Sequence, residues 1–342
     1  MSRIFAKSPY IISINEASQV GAKVEVYLKN GSGSYPSSPS YTLSKLISSS
    51  NAPTCYFDVS PYIQKFITHK SYTVNVSTVP NFLDTEQYCY ARIKRYKLIG
   101  STYTLIDSTD YTCYDGYIYN TEGINTDLGG ALLTPGTYYY DSNLSAGDLV
   151  IETTTDWTFT YTNLVTAATH TDTVGPGIVQ AYRVKSSYLS AGNKLEIRNI
   201  SGVLQYTYYF KPKELNKYST VTIDFINKFG VWQREFLIGA SNDSLNVTNL
   251  EYKSYRLAET TFNQQEDLTK ILNVNGTETI KTNTGWVEEG FKETIKQILL
   301  SDRILINNRP AKITTKQVEL QKNINNKLIN YPLEFQYTNF VI

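Results

Sequence analysis

The sequence predicts a mainly β protein: two antiparallel β-sandwich-like domains, an irregular β arm inserted between them, and one substantial helix in the C-terminal region. Three observations predict it. The first is composition: the 342 residues include 29 Tyr against one Met and two His. Asn, Ser and Thr are abundant as well; Tyr and Thr favour pleated strands, and Asn, Ser and Gly favour turns. The second is period, because short runs alternate apolar and polar side chains between Gly-, Pro- and Ser-rich breaks. The third is a single stretch where the apolar period becomes that of a helix. Hydrophobic residues make up 41% and charged residues 18%, a globular balance, and a chain of this length buries a core without disulfide or metal staples.

Taken in order, Tyr10–Ile14 and Ala22–Leu28 read as strands. In the second, Val24, Val26 and Leu28 share one face, and Lys23, Glu25 and Tyr27 the other. Residues 30–40, with their Gly, Ser and Pro, form a loop. A strand Thr54–Val59 runs into Ser60-Pro61, where Ser60 can cap a short helix Tyr62–Thr68 and Pro61 suits its first position. Residues 72–79, 88–99 and 102–107 are further strands, and Tyr114–Tyr119 with Glu122–Asn125 make a tight aromatic corner. Residues 127–178 are rich in Gly, Ser, Thr and Asn and include Tyr138-Tyr139-Tyr140, so an irregular β arm is expected there. Strands then follow at Ile178–Lys185, Lys194–Arg198, Val203–Phe210, Thr220–Phe225 and Glu235–Ile238. Asn283 or Thr284 can cap a helix over 284–301, with Glu288 and Glu289 in its first turn. Val287, Phe291, Ile295, Ile298 and Leu299 give it one apolar stripe. Strands at Arg303–Ile306 and Leu333–Tyr337 close the chain. The expected domains are 1–126, the arm 127–178, and 179–342.

Formal net charge is +1, which gives no long-range field for nucleic acid or an anionic membrane. The local patch Arg92, Lys94, Arg95 and Lys97 reads as a solvated strand face in preference to a phosphate site. Cys55, Cys89 and Cys113 are an odd set without a CxxC spacing, so free buried thiols in a reducing cytoplasm are expected and neither a disulfide framework nor a zinc site is. The first seven residues lack the apolar stretch of a secretion signal, no apolar run is long enough to span a membrane, and the Asn-x-Ser/Thr triplets read as chance.

Chemistry leaves little trace. There is no HExxH, P-loop, GxGxxG or GxSxG pattern, His69 and His170 lie in unlike contexts, and no cofactor or metal is called for. Asp115 and Glu122 flank the aromatic corner, where a sugar could bind between two carboxylates, but a structural Asp-Gly turn outweighs that reading. Tyr206, Tyr208 and Tyr209 read as a strand. Tyr138, Tyr139 and Tyr140, set in a polar arm, are the candidate subunit-interface residues.

Four motifs occur in order: Phe57–Ile63, Tyr114–Asn125, Ile226–Gly230 and Asn283–Val287. As a set they resemble virion structural proteins of the short-tailed, crAss-like phages of Bacteroidetes, with a departure at Tyr119-Asn120 after the Asp-Gly-Tyr corner. The resemblance implies a tail ring or barrel subunit that forms a homo-oligomer, binds neighbouring tail or portal-proximal proteins, and carries no catalytic residues. Such a protein would reside in the virion after synthesis in the host bacterial cytoplasm, with no sequence-specific nucleic-acid contact and no membrane. A head-fibre or receptor-binding protein and a polysaccharide depolymerase are the alternatives. The first would show trimeric repeats or coiled-coil leads, and the second a β-helix repeat or a convincing carboxylate pair. Under the first reading the arm would order only against a neighbouring subunit.

Overall fold

The computed structural model describes residues 2–31, 33–47, 53–69, 72, 80–83, 85–134, 136, 139–213, 218–253, 269–320 and 329–339. Among the described residues it is mainly β, 52% strand and 9% helical, with several sheets and no closed barrel, so the predicted class holds. The chain divides into two units, one of residues 1–213 with 226–234, the other of 214–225 with 235–342.

In the first unit a five-stranded sheet has the order Ser2–Phe5, Thr102–Tyr114, Tyr88–Ile99, Gly21–Lys29, Tyr41–Leu46. Ser2–Phe5 joins in parallel and the other pairs are antiparallel. The alternation read at 22–28 decides its faces: Ala22, Val24, Val26 and Leu28 are buried, and Lys23, Glu25 and Lys29 are only partly so. The buried face packs with Ala91 and Ile93 on a two-stranded sheet, Ile11–Ile14 with Cys55–Asp58, and on Ile63 of helix α1, Ser60–Phe66. Pro61 stands in the first turn of α1 as expected, but Ser60 is not the cap. The carboxylate of Asp58 accepts from the Ser60 N–H at 3.0 Å, the Ser60 hydroxyl at 2.6 Å and the Tyr10 N–H at 3.2 Å. One acceptor thereby satisfies an orphan helix donor and ties in the neighbouring strand. All three cysteines are free and buried, and burial pushes the Cys55 and Cys113 thiols upward.

The expected boundaries at 126 and 178 both fall inside this unit, because strands from all three expected domains hydrogen-bond to one another. Asp148–Thr153 pairs with Gly177–Tyr182, which pairs with Asn81–Phe82. Trp157–Asn163 lies between Thr169–Val174 and Asn193–Arg198, and Leu204–Pro212 follows. No cut can be made through a continuous ladder of this kind. Among the described residues the segment 127–178 is therefore largely β strand, paired within its own unit. Phe159 and Tyr161 are fully buried beneath a row of partly exposed Thr158, Thr160 and Thr162. Tyr161 stacks on Tyr182 at 4.4 Å, and its hydroxyl donates to the Tyr182 carbonyl at 3.0 Å. Each such aromatic contributes roughly 1.5–3 kcal/mol on burial. Thr content hid the period: read at every second residue, the run is apolar inside and polar outside.

The second unit is built on a seven-stranded sheet in the order Trp232–Leu237, Val221–Ile226, Ile304–Ile306, Arg309–Ile313, Pro332–Tyr337, Thr269–Asn283, Asn242–Lys253. Helix α2, Lys292–Leu300, follows a single 3-10 turn at Glu289–Phe291. The helix starts later than the expected 284 because 284–287 is used otherwise. The Thr284 hydroxyl accepts from the Tyr331 N–H at 3.0 Å, and Val287 and Ile329 exchange two 2.8 Å backbone bonds. Asn283 caps a corner instead, its carboxamide accepting from the N–H of Gly285, which sits at φ +66°.

The helical stripe is also narrower than predicted. Ile295 and Ile298 are fully buried, while Phe291 is only partly buried against the same core. Ile295→Ala should therefore cost about 2–5 kcal/mol, and Phe291→Ala measurably less. Chemical denaturation of the two variants tests this, and the opposite order would mean that the stripe is rotated.

Candidate functional site

Within the expected β-rich domain 179–342 no individual strand is expected over 239–282, yet this stretch forms the two longest strands of the second unit. Asn242–Lys253 and Thr269–Asn283 pair antiparallel from Asn242↔Lys281 to Lys253↔Thr269. Only Thr279–Asn283 has a further strand on its other side, Pro332–Tyr337. Among the described residues, the stretch 269–278 and its partner are thus a two-stranded ribbon, reaching roughly 30 Å at about 3.3 Å per residue. Residues 254–268 lie outside the described residues.

The ribbon's side chains are unusual for a solvent-exposed element. Leu245, Val247, Leu250, Tyr252, Ile271 and Leu272 are each 47% to 65% exposed. Directly opposed residues of an antiparallel pair share a face. The pairs Leu245↔Glu278, Val247↔Gly276, Asn249↔Val274 and Glu251↔Ile271 therefore align Leu245, Val247, Val274 and Ile271 on one face. A register shift at Leu250/Glu251 inserts Leu272 opposite no residue, and Leu250 and Tyr252 stand on the other face. Among the described residues Asn242–Lys253 is also the terminal strand of the sheet, and it contains no Pro and, from Ser244 to Leu250, no charged residue. Proteins that need to stay apart usually blunt such an edge. Trp286, 65% exposed, stands shortly beyond the second strand.

The residues singled out from sequence fall elsewhere. Tyr138 lies outside the described residues. Tyr139 is exposed and pairs in parallel with Lys211. Tyr140 is buried, its hydroxyl donating to the Leu189 carbonyl at 2.6 Å, and burial raises its pKa well above the ordinary phenol value. Within the triplet, then, only Tyr139 presents surface among the described residues. Tyr206 and Tyr208 stack on one another along Leu204–Pro212, as a strand would place them.

The aromatic corner is a joint. Asp115 meets Lys7 at 3.5 Å and the buried His69 at 3.2 Å, and Glu122 pairs with Lys228. Gly116 and Gly230 let the corner and the turn 226–230 touch through their backbones. A Cβ on Gly116 would lie 2.5 Å from the Lys228 carbonyl oxygen, and one on Gly230 2.5 Å from the Asp115 carbonyl carbon. Two of the four motifs behind the resemblance are thus halves of one joint, and each of its carboxylates carries a cation. His170 stands 3.1 Å from Asp172, which also accepts from the Tyr182 hydroxyl. Among the described residues no group of three or more His, Cys, Asp or Glu could hold a metal ion, and no helix is long and apolar enough to cross a membrane.

No protein-family model matches the chain, and no curated protein matches it.

Proposed function

We propose that the chain is a structural subunit of a tailed-phage virion, a tail ring or barrel component of the crAss-like kind, acting by assembly with copies of itself and with neighbouring tail or portal-proximal proteins. The observation that carries this reading is the ribbon. A two-stranded hairpin alone is at best marginally stable in water, and this one keeps six large side chains in solvent beside an edge strand that has no Pro and no charge from Ser244 to Leu250. A neighbouring subunit supplies what is missing: a further strand for the free backbone groups and a surface for the stripe Leu245, Val247, Val274 and Ile271. Closed symmetry then limits growth to a ring. Partnering by main-chain pairing suits a net charge of +1, where long-range steering is weak. The ordered four-motif pattern supports the phage assignment, and its joints serve the rigidity that a ring subunit needs. The carboxylate pair that the depolymerase reading would use, Asp115 and Glu122, is engaged by the cations Lys7 and Lys228.

Negative-stain imaging with sedimentation of the purified protein tests the proposal. Closed rings, formed alone or on mixing with virion tail proteins, are expected. A monodisperse monomer under both conditions would reject it.

A further inference from the structure

The outer face of the first five-stranded sheet carries something other than a solvated strand surface. Cross-strand register sets Lys29 opposite Tyr90, Tyr27 opposite Arg92, and Glu25 opposite Lys94, and Arg92 opposite Asp110. These residues form one grid of cations and phenols. Glu25 is enclosed in it: burial alone would raise its pKa, but hydrogen bonds from Lys23, Tyr96 and Tyr27 lower it below the ordinary value. The loop after Lys29 folds back over the grid. Lys29 donates to the Gly33 carbonyl at 2.7 Å, and Tyr35 lies over Arg92 and Lys29, at 4.3 and 4.8 Å from its ring centre. The result is an open cleft of about 710 Å³ beside Tyr35, within the usual volume range for small-molecule sites.

We propose that this cleft binds an oligosaccharide carrying carboxylates, such as a chain of uronic acids. The charge arrangement selects that class. Arg92 closes both arms of its fork on Asp110, at 2.7 and 2.8 Å, so its planar two-point grip is already occupied and an anion in the cleft meets the ammonium groups instead. Lys29 and Lys94 have no carboxylate within salt-bridge distance among the described residues. They are two ammonium groups beside one satisfied ion pair, a net excess of positive charge in a molecule otherwise near neutrality. Lys94 rests 4.6 Å from the ring centre of Tyr27, which holds it over the floor. The lining also suits a sugar's hydroxyls: Ser34, Ser37 and Asp110 offer them partners, beside the phenol groups of Tyr27, Tyr35 and Tyr90. The cleft belongs to the first unit and is independent of the ribbon and its role.

Isothermal titration with trigalacturonate, neutral galactotriose and inorganic sulfate tests this on the full chain. Trigalacturonate should bind with a Kd of about 1 mM or tighter, and galactotriose at least about tenfold more weakly. The double variant Lys29→Ala, Lys94→Ala should lose about tenfold or more for trigalacturonate, with an unchanged melting curve showing that the fold is intact. Absence of binding, equal binding of the neutral sugar, or displacement by equimolar sulfate would overturn it. So would an unaltered affinity in the double variant.

Discussion

Gly230→Ala should collapse the stability of the first unit, with a loss above about 4 kcal/mol, a size reserved for a few named mechanisms. Two of them act together here. The residue sits at φ +80°, where a side chain costs roughly 1–2 kcal/mol. Its Cβ would also stand 2.5 Å from both the Asp115 carbonyl carbon and the Gly116 nitrogen, and these are backbone atoms that cannot swing aside. The joint cannot simply open, because the Lys228 carbonyl accepts from the Tyr117 N–H at 2.8 Å and the Gly116 carbonyl accepts from the Lys7 N–H at 2.8 Å. Gly100→Ala is the matched control: it has a similar φ of +61° and nothing within 4 Å of its would-be Cβ, so it carries the conformational cost alone. For a unit of this size a melting point falls about 2–4 °C per kcal/mol. The two variants should therefore separate by roughly 5 °C or more in thermal melts. Equal shifts would mean that the two corners do not interlock.

How far the sequence disclosed this follows from what each element buries. Where one face is buried and the other partly exposed, alternation was readable, as at Ala22–Leu28; Val221–Ile226 alternates as well, Val221, Ile223 and Phe225 with Thr222 and Asp224, although all six of its residues are buried. The helix was found because Ile295 and Ile298 share a face, and its start was misplaced because Thr284 and Val287 spend their backbone groups on Tyr331 and Ile329, partners far along the chain. The segment 127–178 looked like an arm because Thr is counted as polar, although Phe159 and Tyr161 are core. The ribbon went unread for the opposite reason. An element exposed on both faces has no buried face to impose a period, and its apolar residues are interleaved with Asn and Thr. The one available signal was Leu245 and Val247 alternating with Ser244, Asn246 and Thr248. The sheet grid around Arg92 was half legible: the cations were visible, but the aspartate that occupies Arg92 and the loop that borders the cleft are tertiary facts.

The triple variant Leu245→Asp, Val247→Asp, Ile271→Asp should leave both units folded and abolish assembly. The cores of the two units lose little, because all three side chains are more than half exposed; the new carboxylates at 245 and 271 stand opposite Glu278 and Glu251, so the folded-state cost falls on the ribbon, at roughly 0.2–1 kcal/mol per opposed pair. The assembled state loses much more. Burying a large aliphatic side chain contributes at least about 1.5 kcal/mol, close to a factor of ten in affinity, so removing three weakens each contact by roughly a thousandfold. Three carboxylates would also have to be desolvated in the same interface, which adds to the loss. All three positions lie on one face by register, so they act on one contact. Ile200→Asp, at a residue 66% exposed in the first unit, controls for the general effect of removing surface hydrophobics and should assemble normally. Sedimentation velocity of parent, triple variant and control, alone and with virion tail proteins, reads the outcome directly. Assembly of the triple variant at parental concentrations would show that the ribbon is not where the subunits meet.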